Sequence, residues 1–321
     1  MPAMPKVSVI IPVYNVEQYI ERCAISLFEQ TLDDIEYIFV NDCTPDKSME
    51  VLARVLDDYS ARKDQVRIID MPVNSGQAVA TKIAISEAHG EYLIRCDADD
   101  SVDINMYRIM YEKCKSGEYD IVFCDKYYIK NDQRTIIKSF KHDYPDELYR
   151  EKMIRNILDS HGIPSLCTAM AHRSLFDNEL NYPKKRMGED VALLIQLVYY
   201  ASAVGYVNSP LYYYYYNSSS TCNALSETAC YIKLADLNAN FILMQEFLVK
   251  KGIINNYPKE IEVAKNKVRM RLGPILHSKE TIREWMKIYP EIRWKILVNG
   301  HISLKEKKTI ISKMIRYYLG I

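Results

Sequence analysis

The sequence predicts an α/β protein: a Rossmann-like, mostly parallel sheet flanked by helices, followed by a helical, basic C-terminal region. Three observations predict it. Over the first 130 residues, β-branched runs of strand length alternate with helix-length segments of apolar periodicity, the pattern of crossover units. These strands are near-continuous in hydrophobic residues, as strands covered on both faces are. From about Ser226 onward the helical period takes over and lysines and arginines accumulate.

Each element has its own warrant. Val7 to Tyr14 is a β-branched run, and Tyr19, Ile20, Cys23 and Leu27 then recur at helical spacing. Ile35–Val40 reads as a second strand, and Asp46–Tyr59 as a second helix. Val66–Met71, Glu91–Cys96 and Asp120–Cys124 read as further strands, separated by helices over Gln77–Ala88 and Ile104–Lys115. Beyond residue 130, a polar excursion (Lys130–Pro145) leads to a helix near Asp146–Asp159. Leu166–Ala171 reads as a strand, Gly188 opens a helix to about Ala201, and Tyr212–Tyr216 after Pro210 reads as an edge strand. A boundary near residue 220 is expected to divide the chain into an α/β domain over 1–220 and a helical region over 221–321.

Length and composition bound the class. The 321 residues, 48% apolar and 26% charged, describe an ordinary globular chain and exclude disordered, collagenous and disulfide-scaffold readings. Basic and acidic residues balance at 42 each, which argues against nucleic acid as a partner. The balance hides an asymmetry: residues 259–321 hold 15 basic and 6 acidic residues, leaving 27 and 36 before them. None of the eight cysteines forms a Cys-x-x-Cys pair, so a reduced, cytoplasmic setting is expected. No signal peptide is expected at the start, and the uncharged stretch Val191–Leu225 is broken by Gln196, Gly205 and Pro210, as a buried helix and strands would be. The six histidines are scattered and none is assigned to catalysis.

In a parallel sheet the ligand crevice lies at the carboxyl ends of the strands. Three strands end there in polar residues: Pro12-Val13-Tyr14-Asn15, Asn41-Asp42 and Asp97-Ala98-Asp99-Asp100. Singly, each is a turn or a helix cap. Together they describe a site. Asp97 and Asp99, two apart in an extended segment, point the same way and offer hard oxygens to Mg2+ or Mn2+, which commonly shares its shell with phosphates. Asp42 could accept from a base or ribose, and the Tyr14 ring could stack on the base. The glycine-rich turn of dinucleotide-binding dehydrogenases is absent after the first strand.

Val7-Ser8-Val9-Ile10-Ile11-Pro12-Val13-Tyr14-Asn15, Val40-Asn41-Asp42-Cys43-Thr44-Pro45-Asp46, Asp97-Ala98-Asp99-Asp100 and Gly188-Glu189-Asp190 resemble the successive motifs of family-2 glycosyltransferases. The resemblance spans about residues 6–220. It implies a GT-A fold and inverting transfer from a nucleotide-diphosphate sugar, UDP-linked by family preference, to a glycan or lipid-linked acceptor in surface polysaccharide synthesis. It implies that Pro12, Tyr14, Asp42, Asp97, Ala98 and Lys82 line the nucleotide-sugar site, that Asp99 with Asp97 holds Mn2+ or Mg2+, and that Asp190 is the general base. From the residues alone, Glu189 and Asp190 also suit the first turn of a helix as a dipole cap. A non-catalytic nucleotide-sugar-binding relative is the rival class.

The sequence departs from the family pattern in places. Cys43-Thr44 replaces the usual Gly-Ser, so the turn after Asp42 is expected to come from Pro45. The processive Gln-x-x-Arg-Trp motif is missing. Asn217–Thr221 suits a loop over the donor, and Lys184-Lys185-Arg186 a solvated basic turn. Ile311, Met314, Ile315 and Tyr318 share a face of a basic helix, which either packs on its own domain or contacts a membrane.

Overall fold

The computed structural model describes residues 4–140, 150–159, 165–217 and 224–320. They form two compact units. The first takes residues 4–140, 150–157, 165–184 and 193–217; the second takes 158–159, 185–192 and 224–320.

The first unit is an α/β sandwich. In chain order it runs β1 (Val7–Val13), α1 (Ile20–Phe28), β2 (Ile35–Asn41), α2 (Ser48–Asp58), β3 (Val66–Asp70), α3 (Gln77–Glu87), β4 (Tyr92–Arg95), β5 (Ser101–Val102), α4 (Met106–Ser116), β6 (Ile121–Lys130), β7 (Gln133–Ile137), α5 (Arg150–Asp159), β8 (Ala169–His172), α6 (Glu189–Tyr200) and β9 (Val204–Tyr215). The last two residues of α5 and the first turn of α6 fall in the second unit. The strands form one sheet in the order β3-β2-β1-β4-β8-β6-β9-β5, with β7 hairpinned onto β6. Every residue of β1 is buried, which is what its unbroken Val-Ser-Val-Ile-Ile-Pro-Val run requires of a central strand. β1 pairs parallel to β2 on one side and β4 on the other, so the three polar strand ends singled out above lie side by side.

Three elements differ from expectation, each for a local reason. The polar excursion after residue 130 begins as a hairpin. Asn131 and Asp132 take φ of 49° and 61°, the mirror-image turn that two-residue hairpins need and that Asn and Asp tolerate. The strand expected over Leu166–Ala171 starts only at Ala169, because Ser165 and Thr168 close a capped 3-10 turn first. The tyrosine run is not an edge: Tyr212–Tyr215 pair with β6, and Tyr212 and Tyr213 also pair with the short β5 on the other side.

At the amino ends of the strands, a small buried network ties three segments together. The Ser8 hydroxyl donates to Glu36 (2.6 Å) and accepts from the Gly90 N–H (2.8 Å), and the His89 N–H donates to the same carboxylate (2.9 Å). Burial alone would raise the Glu36 carboxyl. The bonds from His89, Ser8 and Arg67 outweigh it and hold the carboxyl below its ordinary value. That contribution to stability is present at neutral pH and fades as pH falls through the depressed value.

The second unit is helical: α7 (Glu227–Lys250), α8 (Pro258–Arg269), α9 (Lys279–Lys287), α10 (Lys295–Val298) and α11 (Leu304–Leu319). Its core gathers Leu272, Leu276, Trp285, Ile296, Ile310 and Met314. Among the described residues no helix is long and apolar enough to cross a membrane. Seven of the eight cysteines are described, all as free thiols; Cys222 lies outside the described residues.

A side chain at Gly90 has nowhere to go. Its Cβ would lie 2.5 Å from the Ser8 nitrogen and 2.8 Å from the Val7 carbonyl carbon, both backbone atoms of β1. Gly90→Ala is expected to destabilise the chain by about 2–3 kcal/mol, read as a lower urea midpoint at unchanged slope.

Candidate active site

The carboxyl ends of β1, β2 and β4 carry the candidate residues on loops that hold one another. The β1–α1 loop is bonded to the β2–α2 loop along its length. The Asn15, Val16 and Glu17 N–H groups donate to Thr44 Oγ1 (2.8 Å), Ser48 Oγ (3.1 Å) and Asp46 Oδ2 (2.8 Å). Asp46 also accepts from the hydroxyls of Thr44 and Ser48 and from the Ser48 N–H. Burial would raise its carboxyl, but these four hydrogen bonds outweigh it and hold the carboxyl below its ordinary value. Pro12 is buried in β1, and Tyr14, at its end, presents its ring to solvent with 42% of its surface exposed.

The turn after Asp42 corrects the expectation about Pro45. Cys43 itself adopts φ of 55°, the left-handed conformation for which glycine is suited, and the Asn41 side chain accepts the Thr44 N–H (2.9 Å) to hold it there. The glycine-dependent turn is therefore kept without the glycine.

Asp42 is 2% exposed. Its two oxygens accept the N–H groups of Ser75 (2.7 Å) and Gly76 (2.8 Å), the entry to α3, while its carbonyl accepts from Asn74. Gly76, at φ 90°, makes that approach possible. The next residue, Gln77, donates from Nε2 to Asp97 Oδ1 (2.7 Å). Three consecutive residues thus connect the carboxylate after β2 with the one after β4. Lys82, further along α3, is exposed, with its ammonium 5.2 Å from the Tyr182 ring.

The Asp97–Asp100 segment is held from behind. Arg95 Nε lies 3.0 Å from Asp97 Oδ1. The Asp97 N–H donates to the Tyr212 hydroxyl (3.2 Å), which donates to Asp100 Oδ2 (2.7 Å), and Asp100 Oδ1 accepts the Tyr215 N–H (2.9 Å). Asp100 is fully buried. Burial, followed by the neighbouring Asp99 and Asp97, pushes its carboxyl well above the ordinary range. Asn217 donates to Asp99 Oδ2 (3.2 Å), and Arg22 donates to the Asp99 carbonyl (2.6 Å) while stacking 3.5 Å over the Tyr215 ring. Ala98, between the two carboxylates, is buried.

Asp99 is itself raised, first by burial and next by Asp97. Two hard carboxylates, one of them disfavoured as an anion by burial and by the other, form a donor set that a divalent cation would relieve, so Mg2+ or Mn2+ fits here. Among the described residues no group of three or more His, Cys, Asp or Glu side chains gathers as a metal site. Such an ion commonly takes one or two protein carboxylates and fills its shell with substrate phosphates and water.

Asp190 sits in the first turn of α6, among the residues that pack with the second unit. Its approach is shaped there: buried Asn240 of α7 donates to the carbonyls of Lys185 and Met187 (both 2.9 Å). Gly188 follows at φ 79°, where a Cβ would lie 2.5 Å from Leu237. Lys184, Lys185 and Arg186 are exposed. Ser218–Thr221, the rest of the expected covering loop, lie outside the described residues. Sequence reasoning gave no site role to Arg22, Gln77 or Tyr212, which carry no motif, and placed Asn217 only in the loop over the donor. Asp100 had a signal: a third carboxylate beside two others needs a partner if it is buried.

Comparison with known proteins follows the same lines. Residues 8–180 match the family model described as Glycosyl transferase family 2. Among relatives, an uncharacterized glycosyltransferase, EpsJ of Bacillus subtilis, is 41% identical over 134 residues, covering 42% of this chain and 38% of that one. The poly(ribitol-phosphate) beta-glucosyltransferase of Bacillus spizizenii is 35% identical over 117 residues, 36% of this chain and 18% of that one. The chain thus spans well under two thirds of either relative. Among solved structures, S. aureus TarS 1-349 in complex with UDP-GlcNAc aligns over 98% of this chain and 92% of that one, at TM-score 0.60 and 17% identity. The mannosyltransferase PcManGT of Pyrobaculum calidifontis, in complex with GDP-Man and Mn2+, aligns over 99% and 88%, at TM-score 0.50 and 14% identity. These likenesses identify the fold as GT-A.

Two substitutions test this geometry. Tyr212→Phe removes the hydroxyl that serves both Asp97 and Asp100, and is expected to cost about 1–3 kcal/mol in thermal denaturation. Cys43→Gly relieves the left-handed backbone, and a higher melting temperature, worth up to about 1 kcal/mol, is expected.

Proposed function

The chain belongs to glycosyl transferase family 2, and from that premise we propose that it moves a sugar, with inversion, from a nucleotide-diphosphate sugar to a hydroxyl of a glycan or lipid-linked acceptor in surface polysaccharide synthesis. The observation that carries this reading is the Asp97–Asp99 pair at the end of β4, held beside Asp42 through the entry to α3. A UDP-linked donor is supported by the fold likeness to TarS, whose structure carries UDP-GlcNAc. A phosphate-containing polymer as acceptor is supported by the likeness to the B. spizizenii poly(ribitol-phosphate) beta-glucosyltransferase.

In this reading the Tyr14 ring stacks on the base at the mouth of the site. Asp42 accepts from the base while anchoring α3, and Pro12 shapes the strand end beneath. Ala98 is small enough for the diphosphate to approach, and Lys82 meets its charge from α3. Asp99, with Asp97, would hold Mn2+ or Mg2+, and such an ion would supply neutralisation of the charge on the departing diphosphate. The acceptor oxygen attacks the anomeric carbon as the bond to the diphosphate oxygen breaks. The Asp190 carboxylate takes the acceptor's proton. Single displacement requires one base and no nucleophilic carboxylate, and it inverts the centre.

The test is nucleotide release from UDP-, GDP-, dTDP- and CMP-linked sugars, with and without Mn2+, alongside equilibrium donor binding. Asp190→Asn is expected to lower turnover by about 10²–10⁴-fold at nearly unchanged donor affinity. Asp99→Ala is expected to lose the Mn2+-dependent part of donor binding as well. Unchanged turnover in Asp190→Asn would remove that residue from the role of base. Donor binding without release from any donor or acceptor would favour a non-catalytic relative.

A further inference from the structure

The helix α11 carries two apolar stripes, and only one of them is used. Ile310 and Met314 are buried in the core of the second unit. Leu304, Ile311, Ile315 and Tyr318 fall within an arc of about 60°, centred about 90° around the helix from that packed stripe. They remain open, from 40% exposed at Ile311 to 76% at Leu304. The patch does not end with the helix: the Trp294 ring, 61% exposed, stacks on Tyr318 at 6.3 Å and 13° between planes. Arg293 donates to the Tyr318 hydroxyl (3.3 Å) and keeps that ring in place. A continuous apolar face of this kind on a folded unit marks an interaction surface.

Charge identifies what it meets. α11 holds Lys305, Lys307, Lys308, Lys313 and Arg316 against one acidic residue, Glu306. Glu306 lies on the far side of the helix from the exposed stripe and is occupied by capping, accepting from the Ser303 hydroxyl (2.7 Å) and N–H (3.2 Å). Lys307 and Lys308 border the stripe, one on each side, and Lys305 lies further round the helix beyond Lys308. A tryptophan, a tyrosine and isoleucines bordered by lysines suit the boundary between headgroups and acyl chains of an anionic bilayer: rings and aliphatic side chains enter, and lysine stems reach back to phosphates. We propose that the Trp294–α11 face docks the protein onto an anionic membrane surface, lying in the interface without crossing it. It would bring a lipid-linked acceptor to the enzyme, and in that respect it rests on the transferase reading; the docking itself does not.

The test is co-sedimentation of the full chain with phosphatidylcholine vesicles, with and without phosphatidylglycerol. Fluorescence is a second readout: of the two tryptophans, Trp285 is buried, so a blue shift on binding reports Trp294. Binding to the anionic vesicles alone, weakened by salt, is expected. Ile315→Asp, an exposed position, should abolish it while leaving the thermal melt and Mn2+-dependent donor binding at wild-type values. Lys305→Gln with Lys308→Gln should weaken it by about tenfold or more. Equal binding to neutral vesicles, or binding indifferent to Ile315→Asp, would overturn the proposal. So would a dimer, seen by light scattering and dissociated by Ile315→Asp, in a protein that ignores vesicles. Donor binding on the same samples separates a failed docking surface from a failed transferase.

Discussion

The hydrogen bond between the Tyr212 hydroxyl and the Asp100 carboxylate is the constraint on which the front of the sheet depends. Asp100 lies fully buried three residues from Asp97 and beside Asp99, an arrangement that burial and like charge both oppose. Tyr212 answers with its hydroxyl, Tyr215 with its N–H, and the same Tyr212 oxygen receives the Asp97 N–H. One side chain of β9 therefore sets the backbone of the segment that presents Asp97 and Asp99. Arg22 and Asn217 complete the support from α1 and from the end of β9. The short strand β5, paired to β9 at Ser101 and Val102, is the mechanical extension of that same bond.

The other half of the site is built by a different device. The loops after β1 and β2 contain Asn15 and Cys43, both at φ of 55°, and neither is glycine. Their strain persists because Thr44, Asp46 and Ser48 satisfy one N–H after another along the facing loop. The α3 entry then joins this half to the other, with Asp42 holding two backbone amides and Gln77 reaching across to Asp97. Rigid positioning of acidic groups before any ligand arrives is what a site for a charged donor needs. A divalent cation would relieve the charge that burial and Asp97 oppose on Asp99.

Much of this was legible in the residues. The order of strands and helices followed from hydrophobic period, because a strand covered on both faces has no polar choice to make, and β1 shows none. The polar strand ends were legible for the complementary reason: carboxylates at the end of a buried strand are too costly to place by accident. The tyrosine run was misread as an edge because five identical residues have no periodicity from which to read pairing. The turn at Cys43 was misread because propensity disfavours a conformation that tertiary hydrogen bonds then impose. The hairpin at Asn131-Asp132 carried a local signal, obscured by the polar residues around it.

The sequence by itself determined the alternating architecture, the acidic strand ends and the basic helical region, since each is written in contiguous residues whose period or charge has one low-energy outcome. Only the tertiary structure decided which of those residues support one another. That the hydroxyl of Tyr212 rather than of any other of the five tyrosines holds Asp100, that Asn240 shapes the approach to Asp190, and that α11 buries Ile310 and Met314 while leaving Ile315 open are matters of packing between distant segments, 112 residues apart for Tyr212 and Asp100 and 53 for Asn240 and Met187. No local pattern encodes them, because their energies exist only once distant segments exclude water from the same place.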